Sequence, residues 1–261
     1  MKQLPKIGFF RSLIEGPRRK YRSFQLAKAE KRGAPSVKSS YGLVFASNFP
    51  DLTFQFYIKA TYGYFYWNRL KSIDHPFVFL DIGANQGLYA IGATKNPNLV
   101  QSYAFEPVRH TAELLGKNIE LNDASAKCRL VQKAVSDQSG ETEIHLHDEH
   151  SGVSTLAANN PKAEGLPGTE VIETIDAQGL EEIVEPGDEP IVVKVDVEGH
   201  EKVVLEQLLK ANFSNRIREV FYEVDERWVD AKGIAEMLES SGFRLTKIGR
   251  RAHYDVLAER I

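Results

Sequence analysis

The sequence predicts an α/β fold, doubly wound: a mostly parallel sheet with helices on both faces and one antiparallel edge. Three observations carry this. From residue 77 onward, apolar runs bounded by Gly and Pro alternate with segments of helical length. The runs FVFLDI, SYAFEP, CRLVQKAV, IVVKVDV and REVFYEV are rich in β-branched and aromatic residues, as strands covered on both faces are. The final two runs, GFRLTKIG and AHYDVLAERI, are separated by so little chain that only a hairpin joins them.

Taken in order, residues 1–40 form a basic arm with eleven Lys/Arg and two acids, a net of +9, while the remainder carries −12. Such an arm suits an anionic lipid or nucleic-acid surface, as a loose tail or a short amphipathic helix. Residues 41–76 read as a cap region. In it YGLVFASN and LTFQFYI are expected as two short strands around Asn48-Phe49-Pro50-Asp51, followed by the aromatic helix TYGYFYWNRLKSI. Residues 77–261 hold the α/β domain, with GLYAIGATK, RHTAELLGKNIELN, HEKVVLEQLLKAN and VDAKGIAEMLESSG as its helices. The polar segment 147–170 lacks clear periodicity, and a loop of that length in a compact domain is usually functional or mobile.

The 261 residues, 42% of them apolar, suffice for a proper core. The one cysteine, Cys128, has no internal partner, which fits a reducing compartment. No apolar run approaches the length of about 18 residues that spans a membrane, and the N-terminus lacks the long apolar core of a secretory signal. A cytoplasmic protein is expected, its arm available to a membrane surface.

The stretch FVFLDIGANQGLYAIGA carries the first functional signal. In an open parallel sheet the ligand sits beyond the carboxyl ends of the strands, and the turn after the first strand needs glycine where backbone approaches it. Here Gly83-Ala84-Asn85-Gln86-Gly87 lacks the middle glycine of the dinucleotide fingerprint. Asp81 would also repel a pyrophosphate, so a cationic ligand is expected beside it. S-adenosylmethionine is one, and the segment resembles the first motif of class I methyltransferases. Glu106, followed by Pro107, ends the second strand, where an acid can accept both ribose hydroxyls. After the third strand, Gln132, Lys133 and Ala134 are placed near the adenine.

The second signal is IVVKVDVEGHE. Asp196, Glu198 and His200 follow a buried strand next to the first one, so they should face the transferable methyl and accept a proton. Glu198 and Glu201 have the alternative of simply complementing a helix N-terminus. Absence of an Asn/Asp-Pro-Pro-Tyr motif argues against methylation of nucleic-acid bases. The triplet His145, His147 and His150 matches no zinc spacing and reads as exposed hairpin histidines, so no metal is expected there. Tyr62, Tyr64 and Ser154 are candidates for contacting the acceptor.

DIGANQG, FEPVRHTAELLGKNIELN, AVSDQSGETEIHLH, SGVSTL and VKVDVEGHEKVVLE together resemble the FkbM-type methyltransferases over about residues 41–257. The resemblance implies strand order 3-2-1-4-5-7-6 with the last strand antiparallel. It also implies methyl transfer from S-adenosylmethionine to a hydroxyl, in an acceptor that is a small molecule or, by preference, a sugar. It carries over Asp81, Gly83, Asn85, Gly87 and Glu106 to the cofactor, and Asp196, Glu198 and Glu223 to the acceptor side. Gln132 stands where the family usually has Asn, and the basic arm lies outside the match. Three alternatives remain at this point: metal assistance through Asp196 and Glu223, an NAD-dependent dehydrogenase, and an inactive cofactor-binding partner protein.

Overall fold

Phe77-Val78-Phe79-Leu80-Asp81-Ile82 has no solvent-facing side, and all six residues are buried as the central strand β3 (Phe77–Ile82). The computed structural model describes residues 21–146, 150–154, 156, 168–185, 187–249 and 252–261. Beside β3 lie β4 (Leu99–Phe105) and β5 (Cys128–Val131) on one side, and β9 (Ile191–Val195) and β10 (Ile217–Asp225) on the other, all parallel. β12 (His253–Arg260) returns antiparallel to β10 and pairs with the edge strand β11 (Phe243–Ile248). The spatial order is thus β5-β4-β3-β9-β10-β12-β11, which is 3-2-1-4-5-7-6 when these strands are counted along the chain.

One face is covered by α6 (Ala177–Ile183), α7 (Glu201–Lys210) and α8 (Ala231–Ser240), whose Leu180, Val204, Leu208, Ile234 and Leu238 enter the core there. The opposite face receives α3 (Tyr64–Lys71), α4 (Leu88–Ala93) and α5 (Arg109–Leu121). Tyr66 of α3 stacks on Phe221 of β10 at 4.1 Å between ring centroids, and Trp67 packs where a Cβ on Gly92 would lie 2.3 Å from its ring. The aromatic stacking docks α3 on the sheet, and the close approach at Gly92 docks it on α4.

The structure departs from expectation in three places. LTFQFYI is a helix, α2 (Leu52–Lys59), not a strand. Its apparent alternation is misleading: Asp51 accepts from Phe54 N–H as an N-cap, and Thr53, Phe54, Tyr57 and Ile58 form the buried face. The hairpin of this region instead joins β1 (Ser36–Lys38) to β2 (Val44–Ala46), so it straddles residue 40, and a helix, α1, occupies residues 21–31 of the arm. The rest of the arm, residues 1–20, lies outside the described residues. CRLVQKAV breaks at Gln132: β6 (Ala134–Val135) leaves the main sheet and joins β7 (Gly140–Leu146) and β8 (Gly168–Ile175) in a separate three-stranded sheet. The final residues of the expected 147–170 loop therefore belong to β8, while most of the loop, His147 included, lies outside the described residues.

Asn118 of α5 and Asn122, the C-cap of that helix, fasten the N-terminal hairpin. Asn118 accepts from Ala46 N–H and donates to the Gln86 carbonyl, while Asn122 accepts from and donates to the backbone of Val44. A buried backbone group stripped of its partner costs about 1–3 kcal/mol. Asn118, wholly buried, holds two such groups. Asn118→Ala is therefore expected to lower unfolding stability by roughly 2–5 kcal/mol, as measured by the urea midpoint.

Candidate active site

The carboxyl ends of β3, β4, β9 and β10 open into a cavity of about 330 Å³. Its floor is the glycine turn. Gly83 adopts φ +78°, and a Cβ there would sit 1.9 Å from the Asp196 carbonyl oxygen, so only glycine lets β3 and β9 meet at this point. Asn85 is also left-handed, at φ +49°; its side chain accepts from Gln86 N–H at 2.8 Å and from Ser151 Oγ at 3.1 Å. Glu106 takes Asn85 N–H at 2.9 Å on one oxygen and Val108 N–H at 3.0 Å on the other. Burial pushes its carboxyl up to about 7, against the pull of those two donors.

Asp51 ties the cap to this floor. It accepts from Phe54 N–H, from Gln86 Nε2 at 2.9 Å and from Ser151 N–H at 2.8 Å. One buried carboxylate thus joins α2, the glycine turn and the segment carrying Ser151. Gly83, Asn85, Glu106, Pro107, Lys133 and Ala134 line the cavity. Ala84, Gly87 and Gln132 do not; Gly87, at φ +92°, lets α4 pack on Leu115.

Asp81 stands behind the cavity rather than in it. It is 0% exposed, accepts from Ala90 N–H of α4 at 2.8 Å, and faces the ammonium of Lys194 at 3.3 Å. The cation expected beside it is therefore part of the protein. Lys194, 4% exposed, also donates to the Gly83 carbonyl at 2.6 Å and lies 3.6 Å from Asp196. Burial opposes its charge, but Asp81 and Asp196 outweigh this and hold its pKa above the usual lysine range.

The opposite wall holds the second cluster. Tyr62 donates to Asp196 Oδ2 at 2.9 Å, and its own hydroxyl is pushed well above the ordinary phenol range by burial and by Asp196. One ligand atom from each of Asp196, Glu198 and Glu223 falls within 4.8 Å of the others. His253 Nε2 lies 2.5 Å from Glu223 Oε1. Asp255, opposite Glu223 in the β10–β12 register, is raised to about 7 by burial and by the charges of Glu223 and Asp196. His200 lines the cavity 3.0 Å from Ser136 Oγ, and burial lowers its pKa. Ser154 and His150 also line it; Tyr64 sits outside, packed on Tyr41, and His145 lies on β7.

The structure brings together Asn85, Glu106, Asp196, Glu198, His200, Glu223, Tyr62 and Ser154 from six separate stretches of chain. Lys194, Asp51, His253 and Asp255 escaped the sequence reading. Lys194 left a signal, a lone lysine in the otherwise apolar strand IVVKV, and Asp51 stands at a helix-start position after Pro50.

Residues 81–245 match the model of the methyltransferase FkbM domain. The chain belongs to the FkbM methyltransferase family. Its cofactor is S-adenosylmethionine, which removes the basis of the dehydrogenase alternative. The hexuronic acid methyltransferase AglP of Haloferax volcanii is 29% identical over 187 residues, covering 69% of this chain and 70% of its own. The methyltransferase sdnD of Sordaria araneosa is 26% identical over 198 residues, covering 67% and 76% respectively. Among solved structures, the METTL16 methyltransferase domain shares the fold at a TM-score of 0.52 and 14% identity, over 92% of this chain and 78% of that one. The donor set fits the cofactor: an acid at the end of the second strand and a glycine turn border the same cavity, whose volume lies at the small-molecule scale.

Glu201 of this FkbM methyltransferase supports the loop before α7, accepting from Val197 and Gly199 N–H while 2% exposed. Burial raises its pKa from 4.5 to about 7. The folded state then holds its proton more tightly than the unfolded chain, so this contribution to stability is full below about pH 4.5 and lost as pH rises through about 7. Glu201→Gln is expected to flatten the decline of the urea midpoint across that window.

Proposed function

We propose that this methyltransferase transfers its methyl group to a hydroxyl of a sugar or related small polyol. The observation that carries the reading is the placing of Asp196. Its Oδ2 takes the Tyr62 hydroxyl at 2.9 Å, in the same cavity as Gly83 and Glu106. Gly83, Asn85, Glu106, Pro107, Lys133 and Ala134 are the residues that would hold the cofactor, with Glu106 directed to the ribose hydroxyls. Ala84, Gly87 and Asp81 keep the turn in shape from behind. The cofactor supplies an electrophilic methyl on a sulfonium, so alignment of the acceptor oxygen accounts for most of the rate.

Asp196 is the group assigned to take the acceptor's proton. Tyr62 and Lys194 hold its carboxylate in one orientation. Glu198 and Glu223, the latter paired with His253, are assigned to acceptor hydroxyls, with Ser154 and the rings of Phe56, Tyr57 and Tyr62 on the cap side. His200 stays neutral near pH 7, because burial lowers its pKa, and acts by contact rather than by charge.

AglP is a hexuronic acid methyltransferase, which favours a sugar here. The acid-rich wall argues for a neutral sugar: Asp196, Glu198 and Glu223 would repel a uronate, while neutral hydroxyls can donate to all three. The same carboxylates support a second reading, in which a divalent cation helps orient the acceptor. Activity that persists in EDTA would dismiss it.

Calorimetry is expected to show binding of S-adenosylhomocysteine and no heat with NAD. Asp196→Asn should lower turnover by about a hundredfold or more while changing S-adenosylhomocysteine affinity by less than about threefold; equal losses would make Asp196 a cofactor ligand. In a panel of glycosides, neutral sugars should be methylated in preference to matched uronates, read by mass spectrometry.

A further inference from the structure

Helix α1 (21–31) stands on the body by a narrow footing. Leu26 is buried as part of the apolar cluster that also holds Phe54, Tyr57 and Ile58 of α2, and Arg22 donates to the Lys59 carbonyl at the end of α2 at 2.8 Å. The outward side carries a different composition. Tyr21, Phe24, Lys28 and Lys31 recur at spacings of three and four, so they share one stripe on the side of the helix away from Leu26. All four are exposed, with Tyr21 and Phe24 each at 62%. Two large rings left in water on one helix, with lysines in the same stripe, call for an occupant.

We propose that this face of α1 docks on an anionic lipid surface. Rings of Tyr and Phe enter the headgroup boundary while lysines meet the lipid phosphates, the arrangement of a helix lying in the interface plane. Charge distribution favours this occupant. Residues 1–40 carry a net of +9 against −12 for the rest of the chain, so a negative surface attracts this end and repels the body. A shallow groove beside the helix, bordered by Arg22, Gln25, Lys38, Ser39 and Ser40, offers cationic and hydroxyl donors for a phosphate headgroup. The docked surface is also tied to the cavity: α1 is bonded to α2, and Phe56 and Tyr57 of α2 line the cavity. Docking would therefore hold the cleft close to acceptors at a membrane.

The test is flotation of the full chain with vesicles of phosphatidylcholine alone or with roughly one-third phosphatidylglycerol. Binding is expected only to the anionic vesicles and should weaken as salt rises from about 50 to about 300 mM. Tyr21→Ser with Phe24→Ser, and separately Lys28→Glu with Lys31→Glu, should each weaken partitioning by about tenfold or more. Their affinity for S-adenosylhomocysteine should match that of the unaltered protein, since neither pair reaches the cavity, and this verifies folding. Three results would overturn the proposal: no vesicle binding by the unaltered chain, equal binding to both vesicle types, or both double variants binding as the unaltered chain does. Tight binding to RNA with no vesicle binding would assign the face to nucleic acid instead.

Discussion

The architecture depends on one buried cation. Lys194 of β9 stands beside Asp81 of β3 in the parallel register, and its ammonium reaches Asp81, Asp196 and the Gly83 carbonyl together. Removing such charges from water is expensive, and the arrangement is tolerable only because each has a partner. Its effect is to lock the two central strands where their ends diverge into the cavity. The glycine turn on one side and Asp196 on the other are held by the same nitrogen, so the two sides of the cavity are tied to each other. Tyr62 extends this array to the cap through its bond to Asp196.

Around that point the remaining buried polar groups act as fasteners between units distant in sequence. Asp51 joins cap, glycine turn and the Ser151 segment; Asn118 joins hairpin, α5 and turn. Each satisfies backbone groups that would otherwise be orphaned, and each therefore fixes geometry as well as stability. The opposite wall differs in kind. There, Asp196, Glu198 and Glu223 converge, and burial with the charges of Glu223 and Asp196 pushes the Asp255 carboxyl up to about 7. A wall so charged suits ligands that donate hydrogen bonds.

Much of the fold is legible in the sequence. Continuous apolar runs such as FVFLDI and IVVKV can be satisfied only between two covering layers, and the final hairpin follows from chain length between its strands. The glycine turn, Glu106 and the Asp196–Glu198–His200 run were legible as strand-end positions, and they do line one cavity. LTFQFYI misled because its alternation mimics a strand, although Pro50-Asp51 carried the helix-start signal. The break of CRLVQKAV between two sheets left no mark, since both halves have the same composition and differ only in partner.

The sequence by itself determined the layered α/β class, the strand that bears the turn, and the family of chemistry. Those depend on periodicity and on residue types within a few positions of one another. Tertiary structure alone decided that Asp81 answers to a lysine of the protein, that Tyr62 meets Asp196 across 134 residues, and that His253 stands against Glu223. The reason is that an ionisable group's role is set by what surrounds it in space. Strand order and register create those surroundings, and neither is written at any one position in the chain.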